Sequence, residues 1–264
     1  MSIKSKVLAA AAALTLIGGL SAGLTATSAS AATPSCGGSC IDIFSYEFGH
    51  HFTPNFVVDV FQQHIRIGQP IILFRAANND LAEDFEATLQ GTVADFYAAG
   101  MVSPAFALHY GCVPGTTVVA GAEIPCIGTG GDDYAFEIEY TPNGVQSGLC
   151  VGVASTAVQG EGVTLQECGS SSKTVWAVDQ ADASNDSTNP VLTEYVPLIN
   201  GSDTNFSQPF VLTYPQNGYP TDKPRPQLTV DNLTGYTNPG TGDPAGVDSN
   251  QLWGADFGPY VFEI

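Results

Sequence analysis

The side chains best suited to chemistry in this chain are four histidines and a large number of acids. Glu47, His50 and His51 are ligand-type residues close together, but adjacent histidines on a strand point to opposite faces. The sequence has no His-Glu-x-x-His, no Gly-x-Ser-x-Gly and no glycine-rich phosphate loop, the patterns that hold a catalytic zinc, an activated serine or a phosphate. It therefore predicts a non-enzymatic protein without a metal centre or cofactor.

Glycoside hydrolysis needs two carboxyl groups that face each other across the sugar. Asp132-Asp133 and the pair Glu137/Glu139 have suitable types, but such pairs arise by chance among 26 acids. Asp132 and Asp133 also follow two glycines, so a calcium-binding loop is an alternative to a solvated turn there. A metal-dependent or glycoside-acting enzyme is thus an alternative to a binding protein.

Residues 1–31 predict a secretory signal peptide that is removed. Lys4 and Lys6 form a basic start, Val7–Leu24 is an apolar run, and Ala29-Ser30-Ala31 offers small residues for cleavage. This composition is typical of bacteria and favours a Gram-positive secretor. No other run approaches the roughly 18 apolar residues of a membrane-spanning helix. We therefore expect residues 32–264 to be extracellular, without a membrane contact after cleavage.

The chain is strongly acidic, with a net charge of −19 at pH 7. The basic residues that follow the predicted cleavage site are Arg66, Arg75, Lys173, Lys223 and Arg225. Such a charge repels phosphate backbones and anionic lipid surfaces, so a nucleic acid is excluded as a partner.

Six cysteines, all beyond the predicted cleavage site, indicate three disulfides in an exported chain. Proximity in the sequence pairs them as Cys36–Cys40, Cys112–Cys126 and Cys150–Cys168. The last pair is the best supported, because two predicted strands flank a Gly-x-Gly turn and bring the thiols together; the other pairings stay open. Zinc is disfavoured because the cysteines do not form two Cys-x-x-Cys knuckles.

Short β-type runs separated by glycine, proline and asparagine dominate the chain, which contains 29 glycines and 17 prolines. The runs are Phe56–Phe61, Pro70–Phe74, Tyr134–Tyr140, Leu149–Val153, Val163–Gln166, Phe210–Tyr214 and Gln227–Val230. Only Asp84–Gly100 could be a helix, and Gly91-Thr92-Val93 interrupts it. This spacing predicts an all-β sandwich or barrel formed by one domain over residues 32–264.

A repeating unit underlies these runs: a strand, a turn, a second strand, a loop and a closing aromatic residue. Its clearest copy runs from Gly148 to Trp176, and a second runs from Phe56 to Phe85. A weaker copy starts near Ala105, and a last one starts at Phe210 and ends at Trp253.

The copies resemble the repeats of the ricin-type β-trefoil lectins. The motifs that carry the resemblance are Leu149-Cys150-Val151-Gly152-Val153, Gly162-Val163-Thr164-Leu165 with Cys168, Trp176, and Gln251-Leu252-Trp253. The resemblance implies a β-trefoil with insertions or a C-terminal extension, in which three repeats close a barrel around their aromatic residues. Because a trefoil takes three repeats, the starts are either 56, 105 and 149 or 56, 149 and 210.

The resemblance also implies a shallow sugar site in a repeat that has the right polar residues. In the first copy, Asp59 stands at the family's aspartate position and Phe74 follows fifteen residues later as a stacking platform. The polar groups that would add hydrogen bonds are Asn78, Asn79 and Glu83. The clearest copy has Gly152 instead of the aspartate and the last has Thr213, so we expect a weak or single site for a glycan or polysaccharide.

A β-trefoil that acts through a protein–protein interface, for example as an inhibitor, is the alternative function. The loops Tyr214–Pro226 and Asn238–Asp248 are the candidate contact segments. Their sequences do not identify a protein partner.

Overall fold

The structure of the protein is a computed structural model that describes residues 41–46, 48, 56–77, 80–110, 134–169, 171–178, 195–204, 208–215, 226–234, 247–257 and 260–261. In these ranges the chain forms short strands and two short helices. The strands are β1 (Ile41–Ser45), β2 (Phe56–Val60), β3 (Ile71–Arg75), β4 (Phe85–Thr92), β5 (Tyr134–Tyr140), β6 (Leu149–Val153), β7 (Glu161–Glu167), β8 (Val175–Val178), β9 (Leu198–Asn200), β10 (Phe210–Thr213), β11 (Thr229–Asn232), β12 (Trp253–Phe257) and β13 (Tyr260–Val261). The helices are α1 (Val93–Ala98) and α2 (Pro104–His109).

Six strands close into a ring by antiparallel pairing. β1 pairs with β4, β4 with β5, β5 with β8, and β8 with β9. A bridge between Val196 and Trp253 connects the segment before β9 to β12, and β12 pairs with β1. Closure satisfies the backbone donors and acceptors that an open sheet leaves at its edges.

The other strands form hairpins β2–β3, β6–β7 and β10–β11, which contact one another with three-fold regularity. The residue pairs at the three contacts are Pro70–Thr164, Gly162–Thr229 and Gln227–Ile72. Because the hairpin registers place Ile72, Thr164 and Thr229 at equivalent positions, these are one contact repeated three times. The chain is therefore an all-β β-trefoil with repeats β1–β4, β5–β8 and β9–β12, as the sequence predicts.

The closing aromatic residues of the repeats, Phe85, Trp176 and Trp253, lie in one core with at most 1 % of their surface exposed. The indole N–H of Trp176 donates to the carbonyl of Val151 at 2.9 Å, and that of Trp253 donates to Leu212 at 2.8 Å. Burial of three large rings contributes apolar stabilisation, and the two hydrogen bonds satisfy the indole donors. The Gln-x-Trp signature thus marks the position of a core residue.

The second strands of the repeats begin at Phe56, Leu149 and Phe210. Of the two sets of repeat starts that the sequence leaves open, the structure has 56, 149 and 210, and Ala105 lies in α2. The hydroxyl of Ser103 accepts from the backbone N–H of Phe106 at 2.9 Å, and Pro104 occupies the first helical turn, which together start a helix. The segment between the first two repeats is therefore an insertion that contains helices.

The structure of Asp84–Gly100 also differs from the helix that the sequence allows there. That stretch divides into β4 and α1, and Thr92 and Asp95 form a reciprocal capping box at the junction. Phe96 and Phe106 pack with Val175 and Val211 in a second apolar cluster. The two helices thus cover a surface of the trefoil.

Cys150 and Cys168 form a disulfide across the β6–β7 hairpin, with their Cα atoms 5.1 Å apart. This pairing is confirmed. The other predicted pairs fall outside the described residues: Cys36, Cys40, Cys112 and Cys126. No helix in the described ranges has the length and hydropathy that a membrane crossing requires.

Candidate functional site

The outer face of the β2–β3 hairpin carries the first two predicted site residues. Asp59 pairs with Ile72, and Val57 pairs with Phe74, so Asp59 and Phe74 are diagonal neighbours on the same face. The intervening residue Val58 points the other way into the main core. Alternation along the strand therefore positions the carboxylate away from the barrel centre.

A 3-10 turn at Leu81–Glu83 brings two more carboxylates to this face. Asp80 caps the turn by accepting from the backbone N–H of Ala82 at 3.0 Å. Glu83 Oε1 accepts from the backbone N–H of Ala77 at 2.9 Å. Carboxylate oxygens of Asp59, Asp80 and Glu83 all lie within 4.8 Å of one another.

We call Asp59, Asp80 and Glu83 the acidic cluster. The structure thus brings the predicted residues Asp59 and Glu83 together and adds Asp80, which the sequence interpretation missed. The signal for it was present, because an aspartate three residues before a glutamate is a helix-capping pattern. The predicted residues Asn78 and Asn79 lie outside the described residues.

Burial differs within the site. Asp59 is 4 % exposed and Glu83 is 3 % exposed, whereas Asp80 and Phe74 are partly exposed. A ligand that arrives from solvent would therefore meet Asp80 and Phe74 first, with the other two carboxylates behind them.

Burial raises the pKa of Glu83 to about 9 from its ordinary value of 4.5. The negative charges of Asp42, Asp80 and Asp59 contribute to this rise in the pKa, and the hydrogen bond from Ala77 opposes it. No basic side chain is among the causes of this shift. Glu83 is therefore a buried acid among like charges.

Tyr140 is the last residue of β5. It pairs with Phe85 across β4–β5, is fully buried, and its hydroxyl has no hydrogen-bond partner among the described residues. Burial raises the pKa of Tyr140, and the charges of Asp84, Asp59 and Asp80 raise it further. The hydroxyl is therefore a buried donor within the field of these carboxylates.

A cavity of about 370 Å³ lies where the first repeat, at Gln63, Ile65 and Leu81, meets the β5–β6 connection of the second. Its lining includes Tyr140, the exposed apolar residues Ile65 and Val145, and Gln63. The amide of Gln63 donates to Asp80 Oδ1 at 2.7 Å, which connects the cavity wall to the acidic cluster. Gln63 and Asn143, which both line the cavity, have a left-handed backbone, at φ 58° and 57°. Such conformations at non-glycine residues concentrate where a loop is held by its surroundings.

The equivalent position of the second repeat is closed. Gly152 occupies the place of Asp59, and a Cβ on it would lie 2.6 Å from the carbonyl oxygen of Lys173 and 2.9 Å from Thr174 Cγ2. Glu137 accepts from the Thr174 hydroxyl at 2.5 Å and from the backbone N–H of Gly169 at 2.9 Å. One acid with neutral donors therefore fills the site, and the glycine lets the following loop pack against the hairpin.

The equivalent position of the third repeat is filled by an amide. Gln251 Nε2 donates to Thr213 Oγ1 at 3.2 Å and to the carbonyl of Asn232 at 3.0 Å. Its Oε1 accepts from the backbone N–H and the hydroxyl of Thr234, both at 2.8 Å. Gln251 is 2 % exposed, so its hydrogen bonds are used within the fold.

Of the other chemistry-bearing candidates, the structure describes Glu137 and Glu139. Glu139 Oε1 accepts from the backbone N–H of Gly148 at 2.8 Å, so both Glu137 and Glu139 bind loop amides. Glu47, His50, His51, Asp132 and Asp133 lie outside the described residues.

No family model matches the sequence, and no curated protein matches it. Among solved structures, the chain is similar to the designed 3-fold symmetric protein ThreeFoil, with a TM-score of 0.44 and 10 % identity. The match covers 82 % of this chain and 97 % of that chain. At this level of likeness the match carries no argument, and the trefoil assignment rests on the strand pairing.

Proposed function

We propose that this protein binds carbohydrate without chemical turnover, through one site in its first repeat. The observation that carries the proposal is that Asp59 and Phe74 are diagonal neighbours on one outer hairpin face, a combination that the other repeats lack. Carboxylate oxygens suit vicinal sugar hydroxyls as acceptors, and an aromatic ring suits the apolar face of a sugar. A partly exposed Phe74 and Asp80 would form the contact surface.

The neighbouring cavity supports the same location. Its volume lies in the range of small-molecule sites, and it combines apolar side chains with amide and hydroxyl groups. A sugar or short glycan that contacts Asp80 would extend along this wall past Gln63.

We also propose that the protein acts outside the cell after removal of the predicted signal peptide. The Cys150–Cys168 disulfide supports this location, because disulfides persist in oxidising compartments.

A glycan array and a polysaccharide pull-down test the proposal with purified protein. Phe74→Ala and Asp59→Asn should lower the binding of wild-type ligands by about tenfold or more, because each removes a contact that the site needs. Gln166→Ala is the matched control, since Gln166 occupies the position of Phe74 in the second repeat and should leave binding unchanged. Absence of binding by the wild type to every glycan would contradict the proposal, as would equal losses in Phe74→Ala and Gln166→Ala.

A further inference from the structure

The cavity between the first and second repeats has a mostly apolar lining. Ile65 from the β2–β3 connection and Val145 from the β5–β6 connection are 56 % and 65 % exposed, and both line it. Leu81 and Pro142 add further apolar surface. Large apolar side chains left in water around a concave surface are typical of ligand sites, because a bound ligand removes that surface from water. The cavity is therefore a candidate site for an apolar group.

The cavity adjoins the proposed sugar site at Asp80. Leu81 lines the cavity and directly follows Asp80 in the chain. Gln63 lines it as well, and its side-chain amide donates to Asp80 Oδ1 at 2.7 Å. A peptide bond and a hydrogen bond thus join Asp80 to two residues of the cavity lining, so one ligand molecule can occupy both places.

Both parts of the cavity lining are held by hydrogen bonds within the fold. In the β5–β6 connection, the backbone N–H of Asn143 donates to Asp84 Oδ2 at 2.8 Å. In the β2–β3 connection, Arg66 Nε donates to Gln69 Oε1 at 2.8 Å, and the backbone N–H of Gln69 donates to the carbonyl of Arg66 at 3.2 Å. A site whose walls are already fixed loses less conformational entropy when a ligand binds.

The polar groups of the lining select the kind of apolar group. The side-chain amides of Asn143 and Gln146 are exposed, and they make no hydrogen bond within the described part of the chain. A saturated hydrocarbon chain would cover these amides without offering them a partner, which costs free energy. An aromatic ring with oxygen substituents offers such partners, and its rigidity costs less conformational entropy than a flexible chain does. The lining therefore favours a phenolic ring.

We propose that the ligand of this protein is an aryl glycoside, a sugar that carries a phenolic ring. Its sugar lies on the hairpin face of Asp59 and Phe74, and its ring lies in the cavity against Ile65 and Val145. This inference rests on the carbohydrate binding proposed above and adds the chemical class of the ligand. Sugar hydroxyls exchange hydrogen bonds with water for hydrogen bonds with protein at a small net gain, so burial of the ring supplies much of the affinity.

Calorimetric titration of the purified full-length protein with matched glycosides tests the inference. The probes are the methyl, 4-hydroxyphenyl and hexyl glycosides of glucose, galactose, mannose and xylose. For a sugar that the site accepts, the 4-hydroxyphenyl glycoside should bind the wild type about tenfold more tightly than the methyl glycoside, because its ring leaves water. The hexyl glycoside should gain less.

The outcomes separate this inference from the proposed function. Equal affinities for the methyl and 4-hydroxyphenyl glycosides would overturn the inference and leave carbohydrate binding standing. An equal gain with the hexyl glycoside would overturn the assignment of an aromatic ring. Absence of binding to every probe would overturn both the inference and the proposed function.

Ile65→Ser and Val145→Ser separate the cavity from the sugar face, and the fold should tolerate them because both positions are exposed. Each should lower the affinity for the 4-hydroxyphenyl glycoside about tenfold, to that of the methyl glycoside. Phe74→Ala should weaken the binding of both glycosides.

Val158→Ser is the matched control, because Val158 is 53 % exposed in the β6–β7 connection and does not line the cavity. It should leave both affinities as in the wild type. A loss in Val158→Ser equal to that in Ile65→Ser would overturn the inference. Binding of the 4-hydroxyphenyl glycoside that Phe74→Ala leaves unchanged would instead overturn the sugar site.

Discussion

The first and second repeats have the same fold but differ at one equivalent position, which is Asp59 in the first and Gly152 in the second. In the first repeat Asp59 faces two further carboxylates, whereas in the second Gly152 allows a loop to close over the hairpin and donate to a single acid. In the third repeat the neutral amide of Gln251 fills this region and donates a hydrogen bond to Thr213. Each repeat thus fills this region with its own contacts, and in the described residues three carboxylates meet only in the first repeat.

Gly152→Asp would give the second repeat the aspartate that the first repeat has at this position. It should have the largest effect on stability. The new Cβ would contact the Lys173 carbonyl at 2.6 Å, and the carboxylate would be buried near Glu137. We expect a loss of about 4 kcal/mol in the free energy of unfolding, which urea denaturation measures. Gly152→Ala separates the steric part and should lose about 1–3 kcal/mol. A stable, unchanged Gly152→Asp protein would show that the loop is not held as described.

The pH dependence of stability would distinguish Glu83 from the neutral groups at the equivalent positions of the other two repeats. The pKa of Glu83 in the folded state, about 9, is above the unfolded value of 4.5, so its stabilising contribution is complete below pH 4.5 and is lost as the pH rises through 9. The wild type should therefore lose about 3 kcal/mol in the free energy of unfolding between pH 5 and 7 from this group, in a field set by Asp42, Asp59 and Asp80.

Glu83→Gln should flatten this slope, and Glu86→Gln should not. Urea denaturation at several pH values makes the comparison. Identical slopes in the wild type and in Glu83→Gln would contradict a protonated, buried Glu83.

Gln251→Glu would place a glutamate in the third repeat at the position that Glu83 has in the first. The glutamate cannot donate to Thr213 or to the carbonyl of Asn232, and it would stand buried against an acceptor. We expect a loss of about 2 kcal/mol at pH 7 that shrinks at pH 4, where the new acid is protonated. Thermal unfolding at the two pH values measures it, and a loss that is equal at both would point to packing instead of charge.

Trp176→Phe would make the core of the second repeat resemble that of the first, which has Phe85 at this position. The substitution removes the hydrogen bond to Val151 and part of the buried ring. A loss of about 1–3 kcal/mol in urea denaturation is expected, since a buried acceptor loses its partner and a small cavity forms. Trp253→Phe should give a similar loss because its indole makes the equivalent bond to Leu212.

The repeat pattern predicted much of this fold, and it failed where local signals competed. Alternating apolar residues and the closing aromatic residues located the hairpins, because these depend on spacings of a few residues. The Ala105 segment looked like another copy by composition, but Ser103-Pro104 starts a helix there. The Cys150–Cys168 pair was predictable for the same local reason as the hairpin that it crosses.

The candidate site was predictable only in part. Asp59, Phe74 and Glu83 follow from their positions in the repeat, whereas the roles of Asp80 and Tyr140 depend on a turn and on a strand from the next repeat. Sequence spacing does not say which side of a turn faces a distant strand, so the cluster of charges and its buried hydroxyl could not be foreseen.

The all-β class, the hairpins and the aromatic residues that close each repeat could be predicted from the sequence alone, because these follow from strand periodicity and turn residues. The meeting of three carboxylates in the first repeat, with Asp59 and Glu83 almost wholly buried, is a result of the tertiary structure. Burial and charge depend on contacts between residues far apart in the chain, so the raised pKa of Glu83 is a property of the assembled trefoil.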